Sequence, residues 1–230
     1  MAEKGIAYGV GVGPGDPEEM TLKAVRLIRE GDVIAVPGKD PKESVAYKIA
    51  VQSVPELAEK ELIAIDMPMV KDRAKIEENH RKGAEIIKEI LDTGKNLVYI
   101  TLGDATIYCT FTYLQHYLEA DGYEVHLVNG ISSICAAAAA ANVPIVEWDE
   151  PFHVIPGVHN TEDKLDKPGT YVLMKTASHV KEVKDLLRAS GRDVYAVENC
   201  GMETQRIFHG VDAIPDDVGY FLLIIAKEAK

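Results

Sequence analysis

A two-domain α/β protein is what the sequence predicts, and three observations predict it. Strand-length apolar runs alternate with amphipathic segments as far as residue 120; past the Asp121-Gly122 turn, strands follow one another with few helices between them. The third is size: 230 residues, 47% hydrophobic and 27% charged, suffice for one large or two small globular domains. The boundary is placed to give an N-terminal α/β domain over 1–122 and a C-terminal α/β domain, richer in strands, over 123–230. A ligand cleft is expected between them.

Each element has its own signal. Ile6–Val12 is an apolar, glycine-containing strand, and Asp16-Pro17-Glu18-Glu19 supplies a cap, a proline and an early glutamate, predicting a helix start. Leu22, Ala24, Val25, Leu27 and Ile28 form the apolar stripe of that helix and Gly31 ends it. Val33–Val36 reads as a strand, Pro41–Ser53 as a helix and Leu62–Ile65 as a short strand. A long helix follows from Asp72 to Asp92, with Ile76, Ala84, Ile87 and Leu91 on one stripe; then come a strand over Leu97–Leu102 and a helix over Thr110–Glu119. In the second half Glu124–Val128, Phe152–Ile155, Thr170–Met174, Asp193–Glu198, Gln205–Phe208 and Tyr220–Ala226 read as strands, with helices over Ile131–Ala141 and Ser178–Ala189.

Composition excludes several functions. The longest apolar runs are far shorter than the roughly 18 to 20 residues a membrane span needs. The N-terminus has no basic stretch followed by an apolar segment, so a cytoplasmic protein is expected. A net charge of −12 repels phosphate backbones and argues against nucleic acid as a partner. Lys71, Arg73, Lys75, Arg81 and Lys82 do cluster, but among acidic residues, as on a solvated helix face. Cys109, Cys135 and Cys200 are far apart and form no C-x-x-C pair, which implies free thiols. The histidines at 80, 116, 126, 153, 159, 179 and 209 form no helical pair at metal-binding spacing, so no metal is expected.

Three loops could carry chemistry. Gly9-Val10-Gly11-Val12-Gly13-Pro14-Gly15-Asp16-Pro17 resembles a dinucleotide loop at first sight, yet the G-x-G-x-x-G spacing fails: counted from Gly9 it meets Pro14, and counted from Gly11 it meets Asp16. Asp16, Glu18 and Glu19 would also repel a phosphate; the segment suits either a tight turn or a cationic or zwitterionic ligand. Thr101-Leu102-Gly103-Asp104 follows a buried-type strand, where open α/β sheets bind ligands, though Gly-Asp is also ordinary turn chemistry. Asn129-Gly130-Ile131-Ser132-Ser133 enters a helix, and its hydroxyls suit caps or ligand contacts. It lacks the second glycine of a serine-hydrolase elbow.

Taken jointly, these segments resemble the tetrapyrrole (corrin/porphyrin) methylase family from Tyr8 to the C-terminus. Within it they are most similar to the C20-methyltransferases acting on precorrin-2 or cobalt-factor II in cobalamin biosynthesis. The glycine-rich opening with Thr21-Leu22-Lys23-Ala24, and Thr101-Leu102-Gly103-Asp104 with Ile107-Tyr108, carry the likeness, with Gly130-Ile131-Ser132-Ser133 and Val172-Leu173-Met174-Lys175. Met67-Pro68-Met69 and Glu198-Asn199-Cys200-Gly201-Met202 point to the C20 branch. Departures from the family pattern are Ala105 in place of proline, Cys109 in place of serine, and Asn199 where the branch is often basic.

The resemblance implies two α/β domains, a homodimer, and S-adenosylmethionine in the cleft, contacted by Pro14, Leu102, Gly103, Asp104, Ile107, Ser132, Ser133, Met174 and Cys200. A different ring carbon, or a protein methylase of the diphthine synthase type, is the alternative. An acidic cleft would attract the donor's sulfonium and amine. Methyl transfer neutralises charge, so positioning dominates, worth roughly 7 to 11 kcal/mol. The nucleophilic carbon must lose a proton to Asp104, Tyr108 or solvent. A substrate bearing eight carboxylates needs local cations, for which Lys39, Lys42, Lys71, Arg73 and Lys175 are candidates.

Overall fold

The continuous apolar runs of the first half become the strands of one sheet. The computed structural model describes residues 3–68, 72–156 and 165–229. The chain divides into two units, Met1–Ser132 and Ser133–Lys230.

In the first unit β1 (Ala7–Gly11), β2 (Val33–Pro37), β3 (Glu61–Ile65), β4 (Leu97–Thr101) and β5 (Val125–Val128) form a sheet of order β3-β2-β4-β1-β5. Every pair is parallel, so all five C-terminal ends lie along one edge. Side chains alternate between the faces. Val10, Ile34, Val98 and Ile100 meet Leu27 and Ile28 of α1 (Leu22–Glu30) and Ala46 and Ile49 of α2 (Val45–Ser53). Ala7, Val33, Leu97 and Tyr99 meet Ala84, Ile87 and Leu91 of α3 (Arg73–Leu91) and Leu114 and Leu118 of α4 (Phe111–Ala120). Each fully buried valine, leucine or isoleucine among them contributes about 1.5 to 3 kcal/mol.

Because β5 pairs with β1, it belongs to the first sheet, and the division falls after Ser132 and not at the expected 122/123. A second difference is local. Asp16-Pro17-Glu18-Glu19 forms only a 3-10 turn, with the Asp16 side chain accepting from the Glu18 N–H at 2.8 Å. Extended backbone at Met20 interrupts it, and α1 starts afresh under Thr21, whose hydroxyl accepts from the Ala24 N–H at 3.1 Å. Pro41–Glu43 is likewise a separate 3-10 turn before α2.

The second unit holds β6 (Phe152–Pro156), β7 (Thr170–Met174), β8 (Asp193–Glu198), β9 (Arg206–His209) and β10 (Leu222–Lys227) in the order β6-β7-β10-β8-β9. β6 and β7 are parallel and the other pairs antiparallel. On one face α5 (Ser133–Ala140) covers Val172, Val197, Leu223 and Ile225; on the other α6 (Val180–Ser190) covers Leu173, Val194, Ala196 and Ile224. Among the described residues no helix is long and apolar enough to cross a membrane.

Candidate active site

Three loops leave the C-terminal ends of the central strands β1, β4 and β5 and touch through their backbones. The Gly13 N–H donates to the Gly103 carbonyl at 3.2 Å, the Gly103 N–H returns a bond to the Gly13 carbonyl at 2.7 Å, and the Val12 N–H donates to the Thr101 carbonyl at 2.9 Å. The fit excludes side chains: a Cβ on Gly130 would stand 2.2 Å from the Gly103 oxygen. Gly103 itself turns at φ +71°, a conformation that glycine adopts without strain.

Asp104 ties this junction together. It is 7% exposed, and its Oδ1 accepts from the Thr106 N–H at 2.7 Å and from the Thr106 hydroxyl. Its Oδ2 accepts from the Gly130 N–H at 3.0 Å and from Asn129 Nδ2 at 3.3 Å. Burial by itself pushes the carboxyl up, but the bonds from Thr106, Gly130 and Asn129 outweigh it and hold the group below the usual carboxylate range. Asp104 is therefore ionised at neutral pH with its acceptor positions engaged, which suits linking two loops better than taking a proton. Tyr108, half exposed, stands nearby at φ +49°. Next to it, buried Cys109 anchors the start of α4 by donating to the Thr101 hydroxyl and accepting from the Phe111 N–H, each at 3.4 Å.

The other expected residues fall as follows. In the first unit Pro14 is buried, Leu102 and Ser132 are half-buried, and Ile107 is exposed. In the second unit Ser133 opens α5, while Met174 ends β7 and Cys200 lies two residues past β8, on the two strands that flank β10, and both rest on the same apolar cluster. Lys175 and Asn199, just past the ends of β7 and β8, hold φ +57° and +51°. Of the candidate cations, Lys39 and Lys42 are exposed beyond β2, Lys175 is exposed, and Lys71 lies outside the described residues, as do Met69 and His159.

Arg73 is different, because it lines a cavity of about 560 Å³ with Met67, Pro68 and His80 on one side and Thr110, Tyr113, His116 and Tyr117 on the other. His80, 9% exposed, stacks on Tyr113 with centroids 4.5 Å apart. Burial pushes its imidazole down, against a smaller upward pull from Glu77. The α3 and α4 starts that bound this cavity belong to the C-terminal edge of the first sheet, where α/β sheets bind ligands. Sequence reasoning kept Arg73 as a candidate cation but read the charges around it as a solvated helix face, and it gave no role here to His80, Tyr113, His116 and Tyr117. The spacing of Arg73 to His80, and of Thr110, Tyr113 and Tyr117, puts each set on one helix face and was the available signal.

The glycine-rich loop is also acidic. Glu19 has its Oε2 buried without a hydrogen-bond partner among the described residues, and burial and then Asp16 push its carboxyl up. Such a loop suits a sulfonium and an ammonium and disfavours phosphate. Among the described residues no cluster could hold a metal.

Comparison with known proteins agrees. A family model described as Tetrapyrrole (Corrin/Porphyrin) Methylases matches residues 7–212. The chain is 35% identical over 227 residues to a probable cobalt-precorrin-2 C(20)-methyltransferase of Methanocaldococcus jannaschii, covering 97% of this chain and 96% of that protein. It is 26% identical to a precorrin-2 C(20)-methyltransferase of a Sinorhizobium species, covering 98% and 96%. Among solved structures, a cobalt precorrin-4 methyltransferase superposes with a TM-score of 0.73 at 20% identity, covering 96% and 94%. A uroporphyrin-III C-methyltransferase from Thermus thermophilus, complexed with S-adenosylhomocysteine, gives 0.68 at 23%, covering 97% and 98%. These two likenesses establish the fold. Fold, site and family match define an S-adenosylmethionine-dependent methyltransferase. The chain belongs to the tetrapyrrole methylase family.

Proposed function

We propose that this enzyme methylates C20 of precorrin-2, or of its cobalt-bearing form, in cobalamin biosynthesis. The observation that carries the reading is 35% identity sustained over 97% of the chain with a C20 relative. The donor, when bound, supplies an electrophilic methyl group on a sulfonium. Pro14, Leu102, Gly103, Asp104, Ile107 and Ser132 are the proposed cofactor contacts of the first unit; Ser133, Met174 and Cys200 are carried in the same role. What these residues do is position: backbone-lined loops locked by Asp104 hold a reacting group still, which is the main requirement for an in-line displacement. The proton leaving the substrate carbon goes to Tyr108 or to solvent, and a Tyr108→Phe variant separates the two. Arg73 supplies the α3–α4 cavity with a cation, and His80 and His116 add ring N–H groups, for a carboxylate rim in an anionic protein, with Glu77 the one acidic side chain among the described lining residues. A homodimer acting in the cytoplasm, without nucleic acid, completes the reading, and sedimentation near twice 25.2 kDa is the expected result for assembly.

Incubation with methyl-labelled S-adenosylmethionine and precorrin-2, with and without cobalt, tests the reaction. Label at C20 is expected. Label at another ring carbon, or on a protein acceptor alone, overturns the assignment.

A further inference from the structure

Glu198 ends β8 with only 3% of its surface exposed, and a carboxylate so placed needs partners. Arg206 stands opposite it in the β8–β9 register and grips Oε2 through Nε at 2.6 Å and Nη2 at 2.5 Å. The Gly219 N–H donates to Oε1 at 2.5 Å. One carboxylate thus joins β8, β9 and the segment that enters β10.

Between β8 and β9 runs the turn Asn199–Gln205, which carries Cys200. Its internal bonds lie near the surface: Asn199 Nδ2 to Thr204 Oγ1 at 3.1 Å, the Gly201 N–H to Gln205 Oε1 at 2.7 Å, and the Met202 N–H to the Asn199 carbonyl at 3.0 Å. Asn199 and Gly201 hold φ +51° and +75°, so the turn contains one strained residue. Bonds of this kind compete with water. The Asn199 N–H also ties the turn to the Phe221 carbonyl at 3.1 Å, and a buried side-chain anchor is Glu198, one residue before the turn, gripping Arg206, one residue after it.

We propose that Glu198, through Arg206 and Gly219, is a positioning residue that sets the conformation of the Cys200 turn and thereby the affinity for the methyl donor. The inference rests on the reading of Cys200 as a cofactor contact. Mere sheet stability would be served as well by an apolar pair in these positions. A guanidinium whose Nε and Nη2 converge on one carboxylate oxygen fixes direction as well as distance, and here it does so across the base of a turn whose shape matters.

The test uses Glu198→Gln, which keeps the shape and an acceptor for Gly219 but removes the charge that Arg206 grips. Expected are faster amide exchange across residues 200–205 and S-adenosylhomocysteine binding weakened roughly tenfold, the scale of one lost charged hydrogen bond. The KM for S-adenosylmethionine should rise while kcat at saturation is kept, as for lost uniform binding. Arg206→Lys, with a point charge in place of the fork, should show the same pattern more weakly and serves if the first variant does not fold. Cys200→Leu is the companion: unchanged affinity there overturns the reading of Cys200 and this proposal with it. Weakened binding in Cys200→Leu beside wild-type exchange and affinity in Glu198→Gln and Arg206→Lys overturns the positioning role alone.

Discussion

The Asp104 carboxylate accepts the Gly130 N–H at 3.0 Å, so a side chain from the loop after β4 closes the loop after β5. Asn129 adds its amide to the same oxygen at 3.3 Å. The bond fixes how far apart two of the three glycine-bearing loops can stand.

Asp104→Asn should weaken S-adenosylhomocysteine binding and lower stability by about 1 to 3 kcal/mol, because an amide cannot accept on both sides and leaves a buried N–H unpaired. The pH dependence has a definite sign. With its folded value lowered, Asp104 contributes stability that is present above the ordinary value near 3.9 and lost as pH falls through the folded one. The stability difference between wild type and Asp104→Asn, followed by denaturant titration, should therefore shrink in acid below about pH 4.

Gly130→Ala should cost about 1 to 3 kcal/mol through overpacking, since its Cβ would meet the Gly103 oxygen at 2.2 Å. Gly122→Ala is the control: φ is +76° but the space is open, leaving only about 1 to 2 kcal/mol of backbone strain. Calorimetry should find cofactor affinity reduced in the first variant and kept in the second.

His80→Phe should keep the stack on Tyr113 and remove a titration. The imidazole is pushed down in the folded chain, so it contributes stability above the ordinary value near 6.5 that is lost as pH falls through the folded value. Thermal unfolding of the variant should show a flatter slope just below neutrality than wild type. An identical slope would contradict the burial argument.

Arg73→Ala should raise the KM for the tetrapyrrole several-fold, as an exposed pair contributes about 0 to 1 kcal/mol. The wild-type KM should climb with ionic strength and that of the variant should climb less. If both are flat, the cavity between α3 and α4 does not read the carboxylates, and ring shape and hydrogen bonding carry recognition.

Lys227→Met should destabilise the second unit by about 3 to 5 kcal/mol, the scale of a broken buried pair. Lys227 is buried and donates to the Pro144 and Ile145 carbonyls, each at 2.9 Å, and stands 3.4 Å from Glu150. Burial pushes the Glu150 carboxyl up, while Thr170, the Glu147 N–H and Lys227 together bring it below the usual range. Denaturant unfolding of the full chain measures the loss.

Much of the first sheet was legible because strands covered on both faces read as unbroken apolar runs, as at Val33–Val36 and Leu97–Thr101. β5 was harder to assign: only Val128 is buried among its residues, so nothing in Val125–Val128 announced that β1 was its partner. Asp16-Pro17 looked like a helix start, and the Pro41–Ser53 helix was read to begin at Pro41, because a 3-10 turn and an α-helix share the same capping chemistry. At the site, the glycines and Asp104 were visible as loop residues. The bond from Asp104 to Gly130 joins loops far apart in sequence, and no local pattern reports such a bond. The α3–α4 cavity was hidden because Arg73 and His80 sit among solvated charges such as Lys82 and Glu78, which pair at 2.6 Å.

The position of β1 has a consequence for how the chain acquires its shape. β1, made before the other strands of its sheet, lies between β4 and β5, with Ala7 opposite both Leu97 and Val125. Neither neighbour exists until most of the first unit has left the ribosome, so β1 waits unpaired until β4 emerges and gains its second partner only with the edge strand β5. Closing contacts so distant along the chain is slow, and unpaired parallel strands are exposed to wrong partners meanwhile. The meeting of Gly13 and Gly103 therefore waits for β4, and a nascent chain halted before Val125 will hold β1 with one edge bare.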